Sequence, residues 1–213
     1  MKYLSVGVVV LMTTGCVSDG TQILNSIGSV FETNRPETAQ ISSPLPVVQQ
    51  PEGFGSFQTT SLMNGRSSSY AVQSYGNGLR VREDDGCVWT SAADWFSPSD
   101  SWANCGTSKN WNSAQAQVRQ IDSLYPLQVG AEGRYQRQAT SHTGRTRTRN
   151  TVCRVTGAVD VVRPGLPDTS AYVVKCDDSK RVRTTWYAPG QGPIAFTQVS
   201  DSQGLEESWI RKD

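Results

Sequence analysis

From Ser67 onward, turn-forming residues interrupt the chain so often that the intervals between them are too short for anything but strands. Gly76-Asn77-Gly78 separates Tyr70–Tyr75 from Leu79–Glu83, and Asp84-Asp85-Gly86 separates the latter from Cys87–Thr90. Gly and Asn accept the positive φ that tight hairpin turns demand, so each cluster reads as a turn between antiparallel strands. The second half repeats the pattern. Thr151–Val162, Thr169–Cys176, Arg181–Tyr187, Ile194–Val199 and Leu205–Ile210 are divided by Arg163–Asp168, Asp177–Lys180 and Ala188–Pro193. Ala114–Leu124 is the best helix candidate, and it reads equally well as a strand with Gln and Arg on its wet face. The expected fold is therefore mainly β, an antiparallel meander forming a curved sheet, sandwich or partial barrel.

The N-terminus follows different rules. Met1-Lys2 is a short positive start, and Leu4–Met12 is apolar but far shorter than the roughly 20 residues that span a bilayer. This is the signature of a cleaved export signal. Thr14-Gly15-Cys16 resembles a bacterial lipobox, in which the cysteine receives a diacylglyceryl group and becomes the first mature residue. Thr13 stands where Leu is usual, with Leu11 two positions further back, so the alternative is an ordinary signal cleaved nearby. The lipobox resemblance implies a signal peptide over 1–15 and lipid attachment at Cys16. Val17, rather than an inner-membrane retention Asp, then directs the anchor to the outer membrane.

The cysteine count agrees with export. Assigning Cys16 to lipid leaves Cys87, Cys105, Cys153 and Cys176, an even set with no C-x-x-C spacing. Structural disulfides are expected, with three pairings open. From Val17 to about Thr60 the chain carries Asn34-Arg35-Pro36, Ser42–Pro46 and Gln49–Gly53 without a sustained period. Such composition reads as a disordered tether over 16–60 that reaches on the order of 40 Å, followed by a domain over 61–213. Within it, Ile23, Leu24, Ile27, Val30 and Phe31 are either incidental or a short amphipathic turn.

Tyr125-Pro126-Leu127-Gln128-Val129-Gly130, Cys153–Gly157, Tyr172–Cys176 and Trp186-Tyr187-Ala188-Pro189-Gly190 resemble an exported domain widespread in proteobacterial lipoproteins. Trp89, Trp95–Pro98 and Trp102 resemble the stretch upstream of it, so the likeness covers roughly Ser67 to Ile210. It implies a β-rich envelope domain without catalytic residues.

Candidate chemistry is sparse. Lys and Arg total 20 against 19 Asp and Glu, which excludes a charge-led nucleic-acid partner. A single histidine, His142, excludes multi-histidine metal sites, and no nucleotide, zinc or nucleophile-elbow motif occurs. No metal, cofactor or catalytic residue is therefore expected. The adjacent pairs Asp84-Asp85, Asp177-Asp178 and Glu206-Glu207 point to opposite faces of an extended chain, and the Asp pairs sit where Asp stabilises turns. Six arginines lie between Arg134 and Arg154. In a strand, Arg145, Arg147 and Arg149 share one face about 7 Å apart, either as an anion or partner site or as charge guarding an edge strand. Of the six tryptophans, Trp95 and Trp102 lie in a Ser-, Asp- and Pro-rich loop and are the candidates for exposed aromatic contact. Trp89 and Trp186 read as core.

These features lead to a non-enzymatic outer-membrane lipoprotein, anchored to the membrane by its lipid and acting in binding or assembly. Its candidate partners are an envelope protein, peptidoglycan or lipopolysaccharide. A cell-wall hydrolase using scattered carboxylates and a carrier of an apolar ligand are the rival readings.

Overall fold

The computed structural model describes residues 34–41 and 43–213, and every regular element in them is a strand. These are β1 Thr38–Gln40, β2 Gly55–Ser61, β3 Ser67–Tyr75, β4 Gly78–Glu83, β5 Val88–Ser91, β6 Ser99–Ala103, β7 Ala114–Asp122, β8 Glu132–Ser141, β9 Thr146–Val161, β10 Thr169–Asp177, β11 Arg181–Ala188, β12 Gly192–Ser200 and β13 Gly204–Arg211. All named pairings are antiparallel, and the order runs β9-β10-β11-β12-β13-β2-β3-β4-β5-β6-β7-β8. The long β9 pairs with β8 as well as β10, which closes twelve strands into a barrel. Closure leaves an open side at the start of β9, where Thr146–Thr151 pair with β8 alone. β1 lies outside the ring, against Val159–Val161 at the end of β9.

The segment that read as helix or strand, Ala114–Leu124, is strand β7 over most of its length. Ala114, Ala116 and Val118 turn inward while Gln115, Gln117 and Arg119 are exposed, the two-residue period of a half-buried strand. Gly78 opens β4 where the sheet leaves no room, because a Cβ there would overlap the Ser91 carbonyl oxygen. The outer wall of β4, β7, β8, β9 and β10 exposes Arg82, Arg119, Arg134, Arg154 and Lys175.

One end of the barrel is filled. Phe96, Leu124, Leu127, Tyr135 and Tyr187 are buried there together with Val48 from the arm that precedes β2. Val48 and Leu127 exchange backbone hydrogen bonds of 3.2 and 2.8 Å. The arm is locked at a second point, where the Tyr187 hydroxyl lies 3.0 Å from the Glu52 carbonyl and the Trp95 indole N–H donates to the same oxygen at 2.9 Å. Gly53, at φ +86°, crosses Gly192 so closely that a Cβ would lie 2.5 Å from the Gly192 Cα. The fold thus starts upstream of the expected boundary at residue 60. β2 is a strand of the barrel, β1 adds to β9 outside the ring, and Val48 packs into the apolar cluster. The expected signal over 1–15, the lipid site Cys16 and the apolar residues from Ile23 to Phe31 lie outside the described residues.

The cysteines pair between sequence neighbours, Cys87 with Cys105 and Cys153 with Cys176, the latter directly across β9 and β10. They span 18 and 23 residues. In the chain-entropy model each loop stabilises the fold by roughly 3 kcal/mol. Replacing Cys153 and Cys176 together by Ala is expected to lower the urea midpoint with an almost unchanged slope, and equilibrium denaturation measures both.

Candidate anion site inside the barrel

The inward positions change character along each strand. On β9 they run Arg147, Arg149, Thr151, Cys153, Val155, from charge into the apolar core, and the outward residues between them include exposed Thr146, Thr148 and Asn150. On β8 the inward series contains Tyr135, Arg137 and Ala139, and register sets Arg137 directly opposite Arg149. Register sets Arg183 on β11 opposite Cys176 and so at the level of Cys153, four residues along β9 from Arg149, and from there its charge, like those of Arg147 and Arg149, acts on Arg137. Arg183 then faces Gln198, which faces Glu207 on β13. Four guanidinium groups, from Arg137, Arg147, Arg149 and Arg183, therefore share one half-buried interior layer with Asp178 and Glu207.

Most of these cations lack an ionic partner. Arg149 donates to Asp178 at 2.9 Å, and both side chains are less than one fifth exposed. Asp178 also accepts the backbone N–H groups of Lys180 and Arg181 at 3.1 and 2.9 Å. Burial pushes its carboxyl up, but Arg149 and those two N–H groups outweigh burial and hold it below the usual range. Arg147 instead lies over the Trp111 ring, 3.9 Å from its centroid, and Arg137 over Trp102 at 5.3 Å. The Nε of Arg147 is buried without a hydrogen-bond partner. Burial lowers the Arg137 guanidinium to about 10, with Arg183 and Arg147 adding like-charge repulsion. Arg147 and Arg183 are lowered for the same first reason. Arg181, by contrast, is matched, because its Nε donates to Glu206 at 2.6 Å.

Two carboxylates face the interior among aromatic rings. Glu83 accepts the Trp89 indole N–H at 3.1 Å, and Glu207 accepts that of Trp209 at 3.0 Å. Burial raises both, Glu83 to about 7 despite the Trp89 hydrogen bond.

The expected strand arginines are thus corrected in part. Arg147 and Arg149 do share a face, but it is the inside of the barrel; at these residues β9 pairs with β8 alone, β10 joining it only from Val152 onward, so one side of the strand stays open there. Arg145 lies in the exposed turn before β9, where its N–H bonds the Ser141 hydroxyl. The supposed exposed aromatic pair is also corrected. Trp95 packs between Phe57 and Trp89, and Trp102 donates to the Trp111 carbonyl at 2.8 Å under Arg137. Large rings placed on inward positions of a closed sheet are consumed by packing. His142 is exposed in the β8–β9 turn, and Asp84, Asp85, Asp177 and Asp178 all accept backbone N–H groups at turns. Among the described residues, no three His, Cys, Asp or Glu side chains are placed to hold a metal ion.

Arg137 and Arg183 were not singled out by sequence, and Glu207 was marked only as half of the adjacent pair Glu206-Glu207. Their only signal is the two-residue alternation of β8, β11 and β13, which gives parity but not which face closes inward. These features define the molecule as a closed antiparallel barrel with an apolar plug and a cationic interior layer. No family model, curated protein or solved structure matches the chain.

Proposed function

We propose that the protein is a non-enzymatic binding component of the bacterial cell envelope, held at the outer membrane by lipid on Cys16, and that its barrel receives an anionic group of an envelope molecule. The observation that carries this reading is the set of inward arginines, Arg137, Arg147 and Arg183, that make no ion pair among the described residues. Burying charge without a partner is costly, and a fold meeting only structural needs gains nothing from leaving the Arg147 Nε unbonded. Two disulfides suit an oxidising compartment, and the resemblance to exported proteobacterial lipoprotein domains supports the same location. The anionic partner is sought among lipopolysaccharide, peptidoglycan and envelope proteins.

A photo-crosslinking residue at Trp111, beside Arg147, tests this in intact envelopes. Capture of an envelope component that is lost when the crosslinker moves to the outward position Gln117 supports the proposal. Equal capture at both positions contradicts it.

A hydrolase reading rests on Glu83 and Glu207, two interior carboxylates whose raised proton affinity suits acid catalysis. Incubation with purified peptidoglycan separates the two. The binding reading predicts no soluble fragments, whereas release abolished by Glu83→Gln or Glu207→Gln establishes the hydrolase.

A further inference from the structure

The interior layer carries more information than its sign. Four arginines, Arg137 on β8, Arg147 and Arg149 on β9 and Arg183 on β11, face two carboxylates, Asp178 and Glu207. Arg181 is paired with Glu206, and Arg137, Arg147 and Arg183 make no ion pair among the described residues. The four guanidinium groups come from three strands instead of one. Arg149 is committed to Asp178, and the rings of Trp111 and Trp102 hold the Arg147 and Arg137 planes in place. Stacking leaves the N–H edge of a guanidinium free to donate, and the Arg147 Nε has no acceptor among the described residues.

Resting on the binding reading above, we infer that Arg137, Arg147 and Arg183 form a site for a phosphoryl-type dianion, with Arg149 and Asp178 fixing its floor. A tetrahedral group with several anionic oxygens accepts donors from several strands at once and carries charge for more than one unpaired guanidinium. A single carboxylate offers two coplanar oxygens and one charge, which suits one fork but leaves the others unmatched. Both a free phosphomonoester and a phosphorylated lipid headgroup present this chemistry.

The test is calorimetric titration of the purified full-length protein with inorganic phosphate, with succinate as the dicarboxylate control. A parallel arm uses phosphatidylcholine vesicles with and without phosphatidic acid. Saturable phosphate binding is expected, weakening as salt rises, tighter than succinate by about tenfold, and weakened about tenfold or more in Arg147→Gln and Arg183→Gln. Arg119→Gln, on the outer face of β7, is expected to bind as the parent does. Binding of inorganic phosphate identifies a free source, whereas binding only of phosphatidic acid vesicles, with the same dependence on Arg147, identifies a headgroup. Arg147→Lys keeps the charge but loses the Nε donor, so it weakens binding by a smaller factor and serves if the Gln variant does not fold. No binding in either arm overturns the inference. Succinate matching phosphate, or identical constants in Arg147→Gln and Arg119→Gln, also overturns it. Failure of the envelope reading is seen separately, as a mature product that carries no acyl group on Cys16, and leaves the phosphate result intact.

Discussion

Asp94→Ala is expected to destabilise the fold by about 3–5 kcal/mol, lowering Tm by on the order of 10 °C in a domain of this size. Asp94 is buried in the loop that plugs the barrel, and its Oδ1 accepts the backbone N–H groups of Phe96 and Ser97 at 2.8 and 2.6 Å. Its other oxygen accepts the Tyr135 hydroxyl at 3.2 Å. Truncation leaves two amides and a phenol without partners in a region closed to water, and each orphan costs about 1–3 kcal/mol. Asp94→Asn keeps the Oδ1 acceptor and loses mainly the Tyr135 contact, so about 1–2 kcal/mol is expected. Thermal unfolding followed by near-ultraviolet circular dichroism checks both. Equal losses in the two variants would show that the loop is held by packing and not by this carboxylate.

The second large effect is a decline in stability from acid to mildly basic pH. Glu83 is raised from 4.5 to about 7, first by burial and then by the neighbouring Glu207, Asp85 and Asp84, against the opposing Trp89 hydrogen bond. Tyr70 lies opposite it in register and is itself raised by burial and by Glu83. The folded protein therefore holds a proton on Glu83 that the unfolded chain has already released. Its stabilising contribution is complete below about pH 4.5 and is lost as pH rises through 7. The shift alone corresponds to a ceiling of about 3 kcal/mol, and because Glu83 keeps some contact with solvent, about 1–2 kcal/mol is expected. Asp178 works in the opposite direction, its depressed carboxyl stabilising the fold above its ordinary range and losing that effect as pH falls through its lowered value. Maximum stability is thus expected near pH 5. Glu83→Gln should flatten the fall between pH 5 and 8 and raise Tm at pH 8, as measured by calorimetry across that range. A parallel downward shift at every pH would contradict the assignment.

The antiparallel β class was legible because turn chemistry is local: Gly76 to Gly78, Asp84 to Gly86 and Asp177 to Lys180 mark reversals that no distant contact needs to specify. Parity was legible too, and it placed Arg147 and Arg149 together. Closure was not, because it depends on β9 being long enough to pair with β8 at one end and β10 at the other, a relation between residues far apart in sequence. Without closure, an alternating strand does not reveal which face becomes interior. For that reason the arginine face read as an edge or an exposed surface, and Trp102 as an exposed ring. The arm from Ser43 to Phe54 read as tether because its value lies in Val48 meeting Leu127 and Glu52 meeting Tyr187, contacts that its own composition does not announce.

The most direct test of a phosphate-accepting interior is nitrogen-detected nuclear magnetic resonance of the arginine Nε groups during phosphate addition. Arg147 and Arg183 should shift in a saturable way while outward Arg119 and Arg154 stay fixed. Uniform drift of all four resonances with ionic strength, or none at all, would contradict the account.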